Sequence, residues 1–490
     1  MRAPIRHCIV ASALLAACGV LTVACVGTDG SAVADQNQTQ KVDASGAASP
    51  KSANNTSSTG QGSAGGDGTT TTTSSVPRPP ADTLTMSKFK QISGHISPKS
   101  VVASGHGVVT AQNMMYTHTV TAYDADGNLI ATVPDDVTLT DFGIDKPGTF
   151  KGSPVEAAFT PDGGEVYVSN YSMYGSGFSE GKDTCSPGDG TTTSYLYRIN
   201  TKSWKVDQVI PAGAVPKYVA VTPDGSKVLA TNWCTWDLTI ADTSTGKVLN
   251  TIKIGGRYPR GIAVTKDSST AYIAVMGGSD VAKVDLTSGA ITWIRNVGAG
   301  PRHIVIAPDD SALYVTLNKA GQVAKIDTAT GQVVKRVNTG TQPRSAAISG
   351  DGTAIYVVNY EDSNISKFRT SDMSLLKKEP AGHHPIGITY DNSTGRVWVA
   401  NYSGTIDIWN EDVAGAAGSD STTTNTVADG SSSATTNSPK ATTNSPKATT
   451  NSPKATTTSP KATTNSPKAT TNSPKSTTTA PKSTTAPKAG

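Results

Sequence analysis

The stretch PRHIVIAPDDSALYVTLNKAGQVAKIDTATGQVVKRV, residues 301–337, carries the clearest structural signal in the chain. It contains four short apolar runs, namely His303–Ala307, Ala312–Leu317, Val323–Ile326 and Val333–Val337. Val, Ile, Tyr and Thr dominate these runs, as they do in β-strands. Turn sequences separate them, among them Pro308-Asp309-Asp310 and the Asp327 to Gly331 segment. The unit therefore predicts four strands joined by hairpins.

This unit recurs along the chain, and each copy opens on a proline. The prolines are Pro98, Pro154, Pro216, Pro259, Pro301, Pro343 and Pro385. From the third onward they are spaced 43, 42, 42 and 42 residues apart, and the earlier intervals of 56 and 62 hold extra residues near 137–152 and 172–191. One such sheet cannot bury both faces unless neighbouring units pack on it. We predict an all-β, seven-bladed β-propeller with four-stranded blades.

The last unit provides only three strand-like runs, which are Ile386–Tyr390, Arg396–Ala400 and Thr405–Trp409. The segment Thr83–Ile92 lies before the first repeat and has the composition of a strand. If it supplies the missing strand, the ring closes and no sheet edge stays exposed. We therefore predict that the propeller spans residues 82–410 and is closed by an N-terminal strand.

The second strand of several units has a common sequence pattern. The clearest copies are Tyr167-Val168-Ser169-Asn170-Tyr171, Tyr314-Val315-Thr316-Leu317-Asn318 and Tyr356-Val357-Val358-Asn359-Tyr360. They resemble the YVTN β-propeller repeat of YncE-like bacterial proteins over roughly residues 85–410. The resemblance implies the propeller architecture but leaves function open, because that family includes surface-layer and binding proteins and related folds host lactonases and lyases.

Residues 1–25 are typical of an export signal: Arg2 and Arg6 precede an apolar, uncharged run from Ile9 to Val23. Cys18 and Cys25 both lie where a lipoprotein would be lipidated, and secretion without a lipid is a third possibility. We expect an exported lipoprotein at the extracytoplasmic face or cell surface, held to the membrane by its N-terminal lipid.

Residues 26–81 and 411–490 contain too few apolar residues to form a core, so we predict disorder for both. The C-terminal tail repeats Thr-Thr-Asn-Ser-Pro-Lys-Ala with a period of seven residues. It could be an extended spacer or a cationic arm for an anionic wall polymer or host glycan. A net charge of only +4, together with export, argues against nucleic acid as a partner.

The part of the chain predicted to fold has two cysteines, Cys185 and Cys234. In an exported protein such a pair favours a disulfide, and the alternative is two unrelated free thiols.

The mouth of the central channel is where propellers usually bind ligands. The residue after the repeat proline should lie there, and in five of the seven units it is basic. The candidate ligand-binding residues are these five and two nearby histidines, namely Lys99, Lys217, Arg260, Arg302, Arg344, His303 and His384. Arginine suits carboxylate or phosphate oxygens, and the histidines would gain strength as donors when the pH falls. The competing interpretation is that carboxylates such as Glu156 and Asp362 neutralise these cations.

Signatures of catalysis and metal binding are sparse. The sequence lacks His-Glu-x-x-His and Cys-x-x-Cys, and Asp124-Ala125-Asp126-Gly127 fits a hairpin turn better than a calcium loop. We therefore expect no cofactor, no metal site and no catalytic residue. Three function classes remain: a binding protein for an anionic small molecule or polymer, a surface-protein scaffold or adhesin, and a metal-dependent lactonase or lyase.

Overall fold

Each sequence repeat folds into one antiparallel four-stranded sheet in the computed structural model, which describes residues 78–413. The innermost strands of successive sheets contact one another, and the innermost strand of the last sheet contacts that of the first. The ring therefore has seven blades, which confirms the predicted fold. The predicted signal peptide, the two candidate lipidation cysteines, nearly all of the first linker and nearly all of the tail lie outside the described residues.

In the first four blades, chain order runs from the innermost strand outward. Blade one comprises β2 (Ser100–Ala103), β3 (Val108–Asn113), β4 (Thr119–Asp124) and β5 (Leu129–Pro134); blade two comprises β8 (Pro154–Phe159), β9 (Glu165–Asn170), β10 (Tyr195–Asn200) and β11 (Lys205–Pro211); blade three comprises β12 (Pro216–Val221), β13 (Lys227–Asn232), β14 (Asp237–Asp242) and β15 (Val248–Lys253). Blade four comprises β16 (Pro259–Val264), β17 (Thr270–Val275), β18 (Val281–Asp285) and β19 (Ile291–Ile294).

The remaining blades follow the same plan, except that the outermost strand of the last blade comes from the N-terminal end of the propeller. Blade five comprises β20 (Pro301–Ile306), β21 (Ala312–Leu317), β22 (Gln322–Asp327) and β23 (Val333–Asn338); blade six comprises β24 (Pro343–Ile348), β25 (Ala354–Asn359), β26 (Asn364–Arg369) and β27 (Leu375–Pro380); blade seven comprises β28 (Pro385–Asp391), β29 (Arg396–Asn401), β30 (Thr405–Val413) and β1 (Leu84–Ser93). A separate hairpin joins β6 (Asp136–Thr138) and β7 (Thr149–Lys151). Three 3-10 helices span Ala81–Thr83, Leu139–Phe142 and Pro187–Asp189.

The ring closes as predicted, because β1 pairs with β30 from Leu84 opposite Val413 to Ser93 opposite Thr405. Residues 78–81, which composition placed in the disordered linker, pack against the propeller. Ala81 is only 2% exposed, and its backbone N–H donates to Asp351 of blade six. Burial of this short segment extends the ordered N-terminal part of the chain beyond the predicted boundary at residue 82.

Apolar side chains between neighbouring blades form the core. In one interface, Leu229 and Ile240 of blade three pack against Ile262 and Ile273 of blade four. All six residues of β21 are buried, because both faces of that strand are covered. This explains why the second strand of each repeat is almost continuously apolar instead of alternating.

Buried asparagines tie the strands of a blade to the loop above them. Asn401 at the end of β29 donates through Nδ2 to Thr405 and Asp407, each 3.1 Å away. The chain passes over this amide so closely that a Cβ on Gly382 would lie 2.5 Å from Asn401 Cγ. These contacts hold the loops that lead into the innermost strands. Among residues 78–413, no helix has the length and apolar character required to cross a membrane.

Candidate functional site

A β-bulge follows the repeat proline in every blade where the innermost strand begins with it. In blade five, Pro301 pairs with Leu317 and His303 pairs with Thr316, so Arg302 has no partner in the ladder. The same interruption occurs in blades two, three, four, six and seven. A bulge re-aims the side chain of its extra residue. The local backbone therefore turns the residue after the proline toward the channel mouth.

The predicted basic residues meet at one cavity of about 360 Å³ in the channel mouth. Its lining is basic, aromatic and apolar, and consists of Lys99, Met114, Tyr171, Asp183, Lys217, Trp233, Arg260, Met276, Arg302, Arg344, Tyr360, Ile386 and Tyr402. Five of the seven candidate residues are in this set. The volume lies at the lower end of the range for small-molecule sites.

Lys217 is the best-compensated cation in the cavity. Its Nζ lies 2.6 Å from Asp183 Oδ1, and it faces the rings of Tyr171 and Trp233 at 4.4 and 4.9 Å from their centroids. Aromatic faces attract cations, so these rings share in stabilising the ammonium. Burial nevertheless lowers the pKa of Lys217 to about 8.

The three arginines are less completely paired. Arg260 lies 3.5 Å from Glu156, a long contact for an ion pair. Arg344 donates to Gln342 at 2.7 Å and stacks on Tyr360, 4.2 Å from the ring centroid. Arg302 donates to the backbone carbonyl of Arg344. The competing interpretation, neutralisation by carboxylates, thus holds for Arg260 through Glu156 but not for Arg302.

Positive charge exceeds negative charge at this site. Two carboxylates, Glu156 and Asp183, are in ion-pair contact with the five basic residues, and Glu361 acts on Arg344 from a greater distance. Even with all three carboxylates ionised, five charged basic residues leave an excess of two positive charges. Burial lowers the pKa of Arg302 well below its usual range, and the neighbouring Arg260 and Arg344 add to the effect. Burial raises the pKa of Glu156 in spite of its basic neighbours. The free cavity is therefore electrostatically unfavourable, and an anion would relieve it.

A disulfide holds the insertion of blade two at the rim of the cavity. Cys185 and Cys234 are bonded, with Cα atoms 5.2 Å apart. Trp233 Nε1 donates to the backbone carbonyl of Asp183 at 2.9 Å, so the same loop is fixed twice. Asp183 itself is 79% exposed in its side chain and was not identified from the sequence. The sequence feature that could have pointed to Asp183 is its position two residues before Cys185, whose disulfide partner belongs to the neighbouring blade.

The two candidate histidines do not line this cavity. His303 lies deeper in the channel, where its Nδ1 accepts from the Ala346 N–H at 3.2 Å and its Nε2 lies 2.9 Å from the Tyr218 hydroxyl. Burial lowers the pKa of His303 to about 3, so a fall in pH through the usual range of histidine does not charge this imidazole. His384 stacks on the back of Tyr360 with ring centroids 4.2 Å apart.

A larger groove of about 630 Å³ lies at the Pro-Asp-Gly turns of blades two and three, at the other end of the innermost strands. It is lined by acidic residues such as Asp162 and Asp224 and by basic residues such as Arg198 and Lys202. The groove therefore has no strong excess of either charge. Within residues 78–413, no group of three or more His, Cys, Asp or Glu side chains is placed to hold a metal ion.

Comparisons with known proteins agree with this architecture. A family model described as "Lactonase, 7-bladed beta-propeller" matches residues 318–451, and one described as "Outer membrane protein assembly factor BamB" matches residues 99–337. Among solved structures, hydrazine synthase of Kuenenia stuttgartiensis superposes with a TM-score of 0.53 at 17% identity, over 66% of this chain and 98% of that chain. Such low identity shows the fold alone. No curated protein sequence matches this chain significantly.

Fold and cavity together define a class: a seven-bladed β-propeller whose channel mouth is lined by basic residues from five blades.

Proposed function

We propose that the protein is an exported, surface-anchored binding protein, whose channel mouth takes an anionic small molecule or the end of an anionic polymer. The observation that carries this proposal is the convergence of five basic residues on one cavity, of which only Lys217 and Arg260 have a carboxylate within ion-pair distance among the described residues. Bulges that recur in successive blades aim these side chains inward, so the arrangement is built into the repeat.

Unpaired donors at the cavity strengthen the proposal. Arg260 Nε and Arg344 Nε are buried and have no hydrogen-bond partner among the described residues. A buried donor without a partner costs about 1–3 kcal/mol. A carboxylate or phosphate could accept from these groups and offset the repulsion between the cations.

The location outside the cytoplasm rests on the N-terminal sequence, with lipidation at Cys18 or Cys25. The match to a family described as an outer membrane assembly factor supports an extracytoplasmic place. The finer assignment to the YVTN-repeat, YncE-like proteins rests on the Tyr-Val-x-x-Asn motifs, and we retain it as part of the proposal.

Calorimetric titration with citrate and with sulfate at low salt tests the binding function. Arg302→Ala combined with Arg344→Ala should weaken binding at least about tenfold, since a hydrogen bond to a charged group contributes about 1.5–3 kcal/mol. The matched control is Arg295→Ala, which removes an exposed arginine that pairs with Asp280 outside the cavity. Equal affinity in the double variant and the control would refute the proposal.

Lactone hydrolysis is the second candidate, favoured by the lactonase family match over residues 318–451. It is weaker because no metal-ligand cluster occurs within residues 78–413. Turnover of a simple lactone by the purified full chain, lost on treatment with a chelator and restored by added metal, would establish it.

A further inference from the structure

Two lysines line the mouth cavity, and their surroundings differ sharply. Lys217 has Asp183 at 2.6 Å and two aromatic rings around its ammonium. Lys99 is equally buried, at 8% exposure, but no carboxylate among residues 78–413 lies within ion-pair distance of its Nζ. Its position on blade one, next to the innermost strand of blade two, places it on the same side of the channel as Glu156.

The charges nearest Lys99 disfavour its ammonium form. Burial lowers the pKa of Lys99 well below its usual range, and the guanidinium groups of Arg260 and Arg302 lower it further. Glu156 raises the pKa of Lys99, but by less than burial and the two guanidinium groups lower it. A desolvated lysine beside other cations is a recognised form of activated amine nucleophile, because the free amine carries the reactive lone pair.

From this cluster we infer that Lys99 captures an oxo acid covalently as an imine, with the carboxylate of that acid held by Arg260 and Arg302. The inference rests on the proposed anion-binding function and names its ligand class. Because the two arginines adjoin Lys99, the carbonyl and the carboxylate of the ligand must be close together, as they are in a 2-oxo acid.

The step is a condensation without oxidation or reduction. The Nζ lone pair forms a bond to the carbonyl carbon, and the carbonyl oxygen becomes a hydroxyl group. One nitrogen proton supplies that hydroxyl group and the second protonates it, the C–O bond breaks as the C=N double bond forms, and the oxygen leaves as water. We assign the proton transfer from nitrogen to oxygen to Glu156, which lines a separate cavity of the channel, lies 3.5 Å from Arg260 and has a carboxyl pKa that burial raises.

Reductive trapping with sodium cyanoborohydride tests the inference, because this reagent fixes imines as secondary amines. The full-length protein is incubated with 2-oxoglutarate and the modified lysines are located by peptide mass spectrometry. We expect the adduct at Lys99 to exceed that at Lys217 several-fold, since Asp183 at 2.6 Å favours the charged, unreactive form of Lys217 and Lys99 has no such partner among residues 78–413. Lys217 is thus an internal control in the same cavity.

Two further probes separate the requirement for a carboxylate on the ligand from the requirement for an amine on the protein. Acetone has the carbonyl but no carboxylate for Arg260 and Arg302 to hold, so its preference for Lys99 should be weaker than that of 2-oxoglutarate. Lys99→Arg offers no primary amine, so it should lose the adduct at this position while the adducts at surface lysines stay as in the parent. Trapping that is equal at Lys99, Lys217 and surface lysines would overturn the inference, and this comparison holds in the parent protein even if the variant fails to fold.

The failure of this inference is distinguishable from the failure of the proposed function. Binding of 2-oxoglutarate and 2-hydroxyglutarate with equal affinity, without an adduct, would refute imine formation and leave anion binding intact. Absence of binding for both acids, together with absence of an adduct, would refute both.

Discussion

Lys367 Nζ donates a hydrogen bond to Glu411 Oε1 across 2.6 Å, and neither side chain is more than 1% exposed. Lys367 belongs to blade six and Glu411 to the third strand of blade seven. The same ammonium donates to the carbonyl oxygens of Ala81 and Leu84, at 2.6 and 2.7 Å. One buried cation therefore joins both terminal segments of the propeller to a neighbouring blade, at the place where the ring closes.

Replacing Lys367 by Ala should lower the free energy of unfolding by about 3–5 kcal/mol, because Glu411 is left buried and unpaired. The double variant Lys367→Met with Glu411→Met should regain much of that loss, since it removes both charges. Urea unfolding of the full chain measures both. Lys377→Ala is the control, because Lys377 is half-exposed and pairs with Glu379 at the surface. A Lys367→Ala protein as stable as the control would contradict this view of the closure.

The Cys185–Cys234 disulfide should contribute strongly to stability. It links residues 49 positions apart, and constraining a loop of that size in the unfolded chain is worth about 4 kcal/mol in the chain-entropy description. The double variant Cys185→Ser with Cys234→Ser should therefore unfold at lower urea concentration. The parent protein kept in a thiol reductant should show the same shift. An unchanged midpoint in both would mean that the hydrogen bond from Trp233 to Asp183 suffices to hold the loop.

Much of the fold was predictable because its signals are local. The proline spacing of 42 residues set the blade length, and hairpin sequences such as Pro308-Asp309-Asp310 set the strand limits. Closure was predictable because three strands in the last repeat left one unpaired edge. The five cations could be placed at one mouth because equivalent positions in a repeat occupy equivalent places in a ring.

The rest depends on contacts that no repeat pattern records. Asp183 reaches Lys217 only because an insertion folds back and is held by a disulfide to the next blade. His303 directly follows Arg302 in the chain, yet the bulge sends Arg302 to the mouth while His303 resumes the ladder opposite Thr316. Sequence adjacency therefore gave the wrong site for the histidine.

Asp135 should make stability fall as the pH rises. It is 2% exposed, its oxygens have no hydrogen-bond partner among the described residues, and burial raises its pKa to about 8. Below about pH 4, its pKa in the unfolded chain, this carboxyl is uncharged in both states, and as the pH rises from there to about 8 it ionises only in the unfolded chain. This difference lowers the free energy of unfolding by at most about 6 kcal/mol.

The variant Asp135→Asn stays uncharged and should therefore raise the melting temperature at about pH 8 while changing little at about pH 4. Asp145→Asn, an exposed carboxylate in the same insertion, is the control. A melting temperature of Asp135→Asn below that of the parent at the higher pH would show that the ionised carboxylate is used, for instance by His118, whose Nδ1 lies 3.5 Å away.

Anion affinity should decrease from neutral to alkaline pH. Lys217, with a pKa of about 8 in the free protein, loses its charge in this range, and an anion beside it would favour the charged form. Binding should therefore be accompanied by proton uptake above about pH 8, and affinity should fall by up to tenfold per pH unit for one proton. The other groups facing the cavity do not oppose this trend. Burial lowers the pKa of Lys99, and Glu156 can only gain negative charge as the pH rises.

Sulfate is the suitable probe, since its charge does not change between about pH 6 and pH 10, and titration in two buffers of different ionisation enthalpy counts the protons taken up. Lys217→Met should bind sulfate more weakly near neutral pH and lose the additional decline above about pH 8. Arg295→Ala, which changes an exposed residue outside the cavity, should follow the parent curve throughout. If sulfate affinity in the parent is flat over the whole range, the anion does not lie beside Lys217, and binding must be assigned to a different part of the propeller.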